Sequence, residues 1–283
     1  MTGSALTEFW RRFARRRSAV VGLGLLATII LVALVGPILV PGDPWEIVGK
    51  PFLWPGTDPA FPLGTDVLGR DILRGALNGA RVSLLIGLSA AGAALTIGIV
   101  IGACAGYFRG WLEDVLMRFT DVFQTIPNFL FAFVLVAMFG SALVNVVIAI
   151  ALVSWPPIAR LVRAETLSLR EREFVQSCIV IGMSEGSIIF RQILPNAMPP
   201  VIVMSSIMVA TAILTEAGLS FLGLGDPNVM SWGTMIGIGR QAIRTAWYMA
   251  AIPGVLILLT VLAFNLVGEG LNDALNPHLK NRQ

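Results

Sequence analysis

Chemistry that depends on histidine or thiol is nearly absent from this sequence. It has one histidine, His278, and two distant cysteines, Cys104 and Cys178, at no metal-ligand or redox spacing. Both cysteines read as packing residues, and zinc chemistry or a Ser-His or Cys-His nucleophile is excluded on supply alone. The remaining ionisable candidates fall in three places. GTDVLGRD, from Gly64 to Asp71, sets Asp66, Arg70 and Asp71 among glycines that accept positive φ, which predicts a turn-rich loop with local pairing. Asp114, Arg118 and Asp121 stand three or four residues apart, a spacing for ion pairs along one helical face. Glu216 is alone in an apolar run, where a lipid-facing carboxylate costs about 3 kcal/mol or more. It must face protein or water, through a structural hydrogen bond or along a pathway.

The elements that hold these groups are set by composition. Of 283 residues, 56% are hydrophobic and 13% charged, and the mean hydropathy is +0.81, whereas soluble domains carry about a quarter charged residues. Uncharged runs near the roughly 20 residues of a bilayer-spanning helix recur along the whole chain. The first, 18–40, follows Arg11, Arg12, Arg15, Arg16 and Arg17 and is too long for a signal-peptide core. Five more are expected at 81–106, 116–139, 143–158, 198–219 and 247–266. The fold class is therefore all-α and polytopic, with six transmembrane helices. Both termini face the cytoplasm, because that orientation puts 14 of the 20 Lys and Arg residues inside. The expected divisions are a basic cytoplasmic N-terminus at 1–17, a first span at 18–40 and a periplasmic loop at 41–80. A five-helix core follows at 81–268, containing a cytoplasmic loop at 160–197, and then a cytoplasmic C-terminus at 269–283, where Pro277 finishes the last helix. Gly92, Gly98, Gly102 and Gly106 recur at spacings that let helices approach closely. No basic stripe suits nucleic acid, and neither long loop can hold a soluble catalytic domain.

The cytoplasmic loop divides by local rules into two short helices. Ser168 and Glu171 have the spacing of a capping box and predict a helix over 169–181, closed by Gly182. Ser184, followed by Glu185, is the next N-cap, and Pro195 ends the second helix before Pro199 and Pro200 turn the chain toward the membrane. Phe174, Ser177, Cys178 and Ile181 fall near one helical face. The periodicity alone leaves two readings: a helix lying in the headgroups, or a stiff protrusion gripped by a partner.

The run EFVQSCIVIGMSEGSIIFRQILPN resembles the cytoplasmic Glu-Ala-Ala signature of ABC-importer permeases, with Gly182, Leu194 and Pro195 in register. Gln176, Ser177 and Cys178 occupy the Glu-Ala-Ala positions, and Ile179 stands where many members carry arginine. PLGTDVLGRDILRGALNGARVSLLIG, LSLREREFV, WPPIARLVRAE, ILTEAGLSFLGLG and SWGTMI are similar to permeases of the dipeptide/oligopeptide/nickel group, so the resemblance covers nearly the whole chain. GDPNVMSWG is shorter and less proline-rich than in the best-known peptide permeases.

The resemblance implies a type I importer permease that is not itself an enzyme and holds no cofactor or metal. ATP and Mg would be bound by two partner ATPase subunits. The other implied partners are a second homologous permease, an extracytoplasmic solute-binding protein and membrane lipid. Glu173, Phe174, Gln176, Ser177, Cys178, Gly182, Ser184, Leu194 and Pro195 would couple to the ATPases. Asp66, Arg70, Asp71, Glu216 and Trp232 are candidates for an outer gate or a binding-protein contact. The implied cargo is dipeptides or oligopeptides, with nickel chelates, glutathione or oligosaccharides as alternatives. A secondary transporter would need ionisable relays or broken helices at the midplane, and an intramembrane enzyme a nucleophile and base; the spans offer little beyond Glu216.

Overall fold

The computed structural model describes residues 3–275, with side chains from Thr7 onward. Its regular structure is helical; the described residues form no strand, only two isolated bridges, Ile47 with Arg70 and Thr65 with Asp71. In chain order the helices are α1 (Gly3–Arg15), α2 (Arg17–Leu39), α3 (Ile72–Phe108), α4 (Gly110–Thr125), α5 (Asn128–Phe139) and α6 (Leu143–Ser154). The second half comprises α7 (Pro156–Arg170), α8 (Glu173–Val180), α9 (Glu185–Ile188), α10 (Leu194–Phe221), α11 (Trp232–Gly239) and α12 (Tyr248–Leu275). By length and hydropathy, α2, α3, the continuous run Glu185–Phe221 and α12 each suffice to cross a membrane. The pairs α4–α5 and α6–α7 qualify only when joined, bent by 84° and 43°.

The expected third and fourth spans are thus broken helices, and proline accounts for both breaks. Pro127 offers no N–H and pushes Ile126 into extended backbone (φ −97°, ψ 130°). Pro156 starts α7 at a first-turn position where its missing N–H costs nothing. The second span begins at Ile72, nine residues before the expected start, because Asp71 caps it by accepting from Leu73 N at 2.9 Å. Its polar residues find partners instead of ending it: Arg74 pairs with Glu46, and Arg81 reaches α2. α12 runs past the expected span end at 266 to Leu275, within the stretch expected to close the last helix; Pro277 and His278 lie outside the described residues.

The most extensive helix contact joins α3 to α7. A Cβ placed on Gly98 would stand 2.6 Å from Ile158 Cβ, and one on Gly106 2.7 Å from Thr166 Cβ. At Gly102 it would collide with Ala159 O and Val162 Cβ. Three successive glycines therefore let α7 lie directly on the α3 backbone, where dispersion replaces the missing hydrophobic drive between helices in lipid. Gly92, expected to share this role, meets nothing within 4 Å. α4 is fastened to the same body. Phe119 stacks on Trp155 at 5.9 Å, Phe123 meets it edge-on at 5.3 Å, and Glu113 and Asp121 pair with Arg163 and Arg160 of α7. The acids of α4 thus reach across to α7. The expected ladder through Asp114, Arg118 and Asp121 does not form among the described residues.

α2 is held at both ends. Pro37 removes an N–H that would have bonded Ala33 O, and Arg81 of α3 supplies the donor instead, at 2.7 Å, with a second bond to Leu34 O at 2.8 Å. At the other end, Arg16 pairs with Glu269 at 3.0 Å and Asp273 at 2.5 Å, so the start of α2 and the end of α12 lie on one side of the bundle.

Gly102→Val should lower the apparent Tm of the detergent-solubilised protein by several degrees, since overpacking a tight contact costs about 1–3 kcal/mol. Gly92→Val, in open space, should leave it unchanged. Equal effects, measured by thermal unfolding, would contradict the α3–α7 contact.

Candidate functional site

The loop between α7 and α10 is built as a bracket on that rigid body. α7 continues through Ser168 to Arg170 without a break, so the expected capping box at Ser168 does not form; the chain turns at Glu171 and Arg172, and α8 starts at Glu173. The pattern was outbid because α7 already has its partner in α3. Arg109 secures the turn, reaching Glu171 at 2.8 Å, and Arg170 lies 5.2 Å from the Tyr107 ring, so both anchors come from the end of α3.

α8 is one short, well-stopped helix. Gly182 takes φ +82°, its N–H bonds Ile179 O at 3.0 Å, and Met183 N–H bonds Cys178 O at 3.1 Å. That pair of bonds is the Schellman arrangement, accompanied by the packing of Met183 and Cys178 against the core. Gln176 and Ser177 serve the helix itself: Gln176 Nε2 donates to Arg170 O at 2.9 Å and Ser177 Oγ to Glu173 O at 2.9 Å. The buried anchor is Val175, fully enclosed, with Cys178 half-buried one turn on. Of the residues expected on one face, Phe174 and Ile181 are exposed while Cys178 turns inward, and Val180 and Ile181 stand out at 86% and 79% exposure. Glu173 is exposed beside them. The result is an apolar knob at the end of α8, mounted on a single buried valine.

Ser184 occupies the N-cap position of α9 with extended backbone, but its hydroxyl makes no capping bond. Pro195 does not end a helix. α9 passes through a π-helical turn, Ile189–Ile193, into α10; Leu194 and Pro195 form the first turn of α10, and Pro199 and Pro200 lie inside it. Proline is tolerated near a helix start, so the loop and the fifth span become one continuous 37-residue rod.

The other candidates meet at the opposite end of the bundle, around the short helix α11. Asp66 closes its own turn, accepting from Leu68 N at 2.8 Å and Arg70 N at 2.9 Å; Arg70 Nε lies 3.8 Å from Asp66 Oδ2 and its guanidinium 4.8 Å from Trp45. Gly64 and Gly69 both take positive φ and press against the carbonyls of Leu53 and Gly49. The Tyr248 hydroxyl lies 2.8 Å from Leu53 O and 3.1 Å from Thr65 O. This turn is a built structural block, and with Met230, Met235 and Ile238 it lines a small cavity beside α11.

Glu216 is 3% exposed, and its Oε1 accepts from Ser220 at 2.7 Å and Ser231 at 2.6 Å. Ser231 is the N-cap of α11, accepting from Thr234 N at 3.0 Å. Trp232, fully buried, donates its indole N–H to Ala76 O at 2.9 Å, and its backbone N–H to Ser83 at 3.1 Å. Glu216 and Trp232 therefore pin α11 between α10 and α3. Ser83, Ser220 and Ser231, which complete this latch, carry no sequence signal of their own; only the serine directly before Trp232 hints at a cap. Glu216→Gln keeps an oxygen acceptor for both hydroxyls and should hold stability within about 1 kcal/mol, whereas Glu216→Leu strands them and should cost about 1–3 kcal/mol. Thermal unfolding of the two variants separates them; equal stability would remove Glu216 from the latch.

Residues 98–281 match the family described as binding-protein-dependent transport system inner membrane component, and residues 4–56 match the N-terminal TM domain of oligopeptide transport permease C. A di/tripeptide transport system permease protein of Pseudomonas aeruginosa is 42% identical over 98% of this chain and 94% of its own. A glutathione transport system permease protein of Pectobacterium atrosepticum is 40% identical over 97% and 90%. Among solved structures, the inward-facing MetNI methionine ABC transporter aligns with a TM-score of 0.59 at 18% identity, over 72% of this chain and 96% of that one, which speaks to the fold. The several apolar spans, the loop bracket and these matches together make the chain a multi-pass inner-membrane member of the binding-protein-dependent transport permease family.

Proposed function

We propose that the chain is one permease half of an ATP-driven importer that carries short peptides. Its matching half would be a second, related permease. Two ATPase subunits would sit below, holding ATP and Mg, and a solute-binding protein would deliver cargo from outside. The observation that carries this reading is the α8 knob: Phe174, Val180 and Ile181 project from a helix too short to flex and anchored through Val175. An exposed apolar cluster of this kind fits a hydrophobic cleft on a partner. Because α8 rides on α7 and α7 on α3, a pull on the knob would move spans instead of dissipating in loop. The continuous rod from α9 through α10 would pass the same movement to Glu216 and the α11 latch, which we assign as the outer gate.

The basic residues support placing α8 in the cytoplasm, since Arg160, Arg163, Arg170, Arg172 and Arg191 gather on its side of the bundle. The juxtaposition of the α2 start and the α12 end is consistent with both termini on that side. Peptide cargo is favoured by the di/tripeptide and glutathione relatives, glutathione being itself a tripeptide.

Replacing Val180 and Ile181 together with Asp should leave the permease folded but cut ATPase co-purification and peptide uptake about tenfold or more. Pull-down and uptake in inverted and right-side-out vesicles check this. Retained ATPase subunits with normal uptake would overturn the docking assignment.

A further inference from the structure

α2 crosses the bundle on a diagonal fixed by two glycines. Near its start, a Cβ at Gly22 would stand 2.5 Å from Leu266 Cβ, so there α2 touches α12. Near its end, a Cβ at Gly36 would stand 2.6 Å from Leu77 Cδ2, so there it touches α3, reinforced by the Arg81 bonds to Ala33 and Leu34. The two contacts are 14 residues apart, about 21 Å at 1.5 Å per residue. Between them α2 bridges a gap and cannot collapse into it, because each end is seated on a different helix.

That gap is a crevice of about 490 Å³, walled by Leu25, Ile29 and Val32 of α2, Ala76 and Ala80 of α3, and the Ala251–Leu259 face of α12. Its lining makes no hydrogen-bonding demand: Thr28 is the polar side chain without an aromatic ring, and its hydroxyl already donates to Gly24 O at 2.9 Å. A void this large left empty would forfeit dispersion along all three walls, and water gains nothing where no polar partner waits.

Four observations choose the occupant. Along α12 the crevice runs from Trp247 to Leu259, about 18 Å, close to half of the roughly 30 Å hydrocarbon core. Its mouth is marked by Trp247, 57% exposed and edge-on to Trp54 at 6.5 Å, the residue type that sits at the membrane–water boundary. One turn before Trp247 stands Arg244, exposed and without a carboxylate partner among the described residues, a cation suited to a phosphate at that level. The crevice is also continuous with the apolar belt of the spans, since its own Val255 is 53% exposed beside Leu258 at 61%.

We infer that this crevice seats one acyl chain of a phospholipid from the leaflet at the Trp247 end, held as a resident part of the α2–α3–α12 packing. The inference rests on membrane residence and not on the cargo or the ATPase contacts.

The test uses the importer purified with its partner subunits and reconstituted in phosphatidylethanolamine/phosphatidylglycerol vesicles containing a phospholipid with a diazirine near mid-chain. After irradiation, labelled peptides are mapped by mass spectrometry. Labelling of the crevice residues Leu25, Ile29, Val32, Leu256 and Leu259 should exceed that of the outward-facing Leu31, Leu34 and Leu258 at least fivefold per residue at low probe. Val255→Trp, or the separately made Thr28→Phe if that variant assembles poorly, should abolish the excess and leave belt labelling unchanged. Equal labelling of crevice and belt, an excess that survives both variants, or protection of the crevice by the second permease would each overturn the proposal.

Discussion

Everything at the α8 end of this protein depends on α7 having no side chain between itself and α3. Gly98, Gly102 and Gly106 form a bare track over which Ile158, Val162 and Thr166 interlock, and any Cβ along it would collide with backbone or with a β-carbon. In lipid the hydrophobic effect does not press helices together, so shape contact must do so. That contact makes α3 and α7 one body, and Trp155 with the Arg163–Glu113 pair adds α4 to it. α8 is a bracket on this body, with Arg109 and Tyr107 of the same α3 end bracing its turn.

The α11 end is held by polar bonds instead. There the short helix α11 is fixed by a buried carboxylate, three serines and one indole, all inside an apolar surround where each bond is expensive to lose. The two ends therefore differ in kind: a packed joint at the α8 end that cannot flex without opening a void, and a hydrogen-bonded joint at the α11 end that can exchange partners. The rod from Glu185 to Phe221 runs from one to the other. The proposed importer, pushed at α8 and opened at α11, would use this division.

Sequence made the membrane class, the number of spans counted as bent pairs, the Gly182 stop and the glycine track legible, because each follows from composition or from a residue with unusual backbone freedom. It misplaced the start of α3, since Arg74, Asn78 and Arg81 look like loop until Glu46, a backbone carbonyl and the carbonyls beside Pro37 supply partners. It took Ser168 and Glu171 for a helix start, though the packing of α7 on α3 carries the helix past them. It read Pro195 as a stop, whereas a π-helical turn absorbs the change and puts proline in a permissive first turn. At the α11 end Glu216 announced itself by charge, but its serine partners are common residues far apart in the chain.

The central claim is that α3, α7 and α8 move as one body. In a background with Cys104 and Cys178 replaced, spin labels at Phe108 and Ile179 can report their separation in the reconstituted importer by double electron–electron resonance, nucleotide-free and with ATP trapped. The account predicts one narrow distance distribution that is the same in both states. A distribution that broadens or shifts by several ångströms on ATP trapping would show that the knob moves independently of the spans and would contradict it.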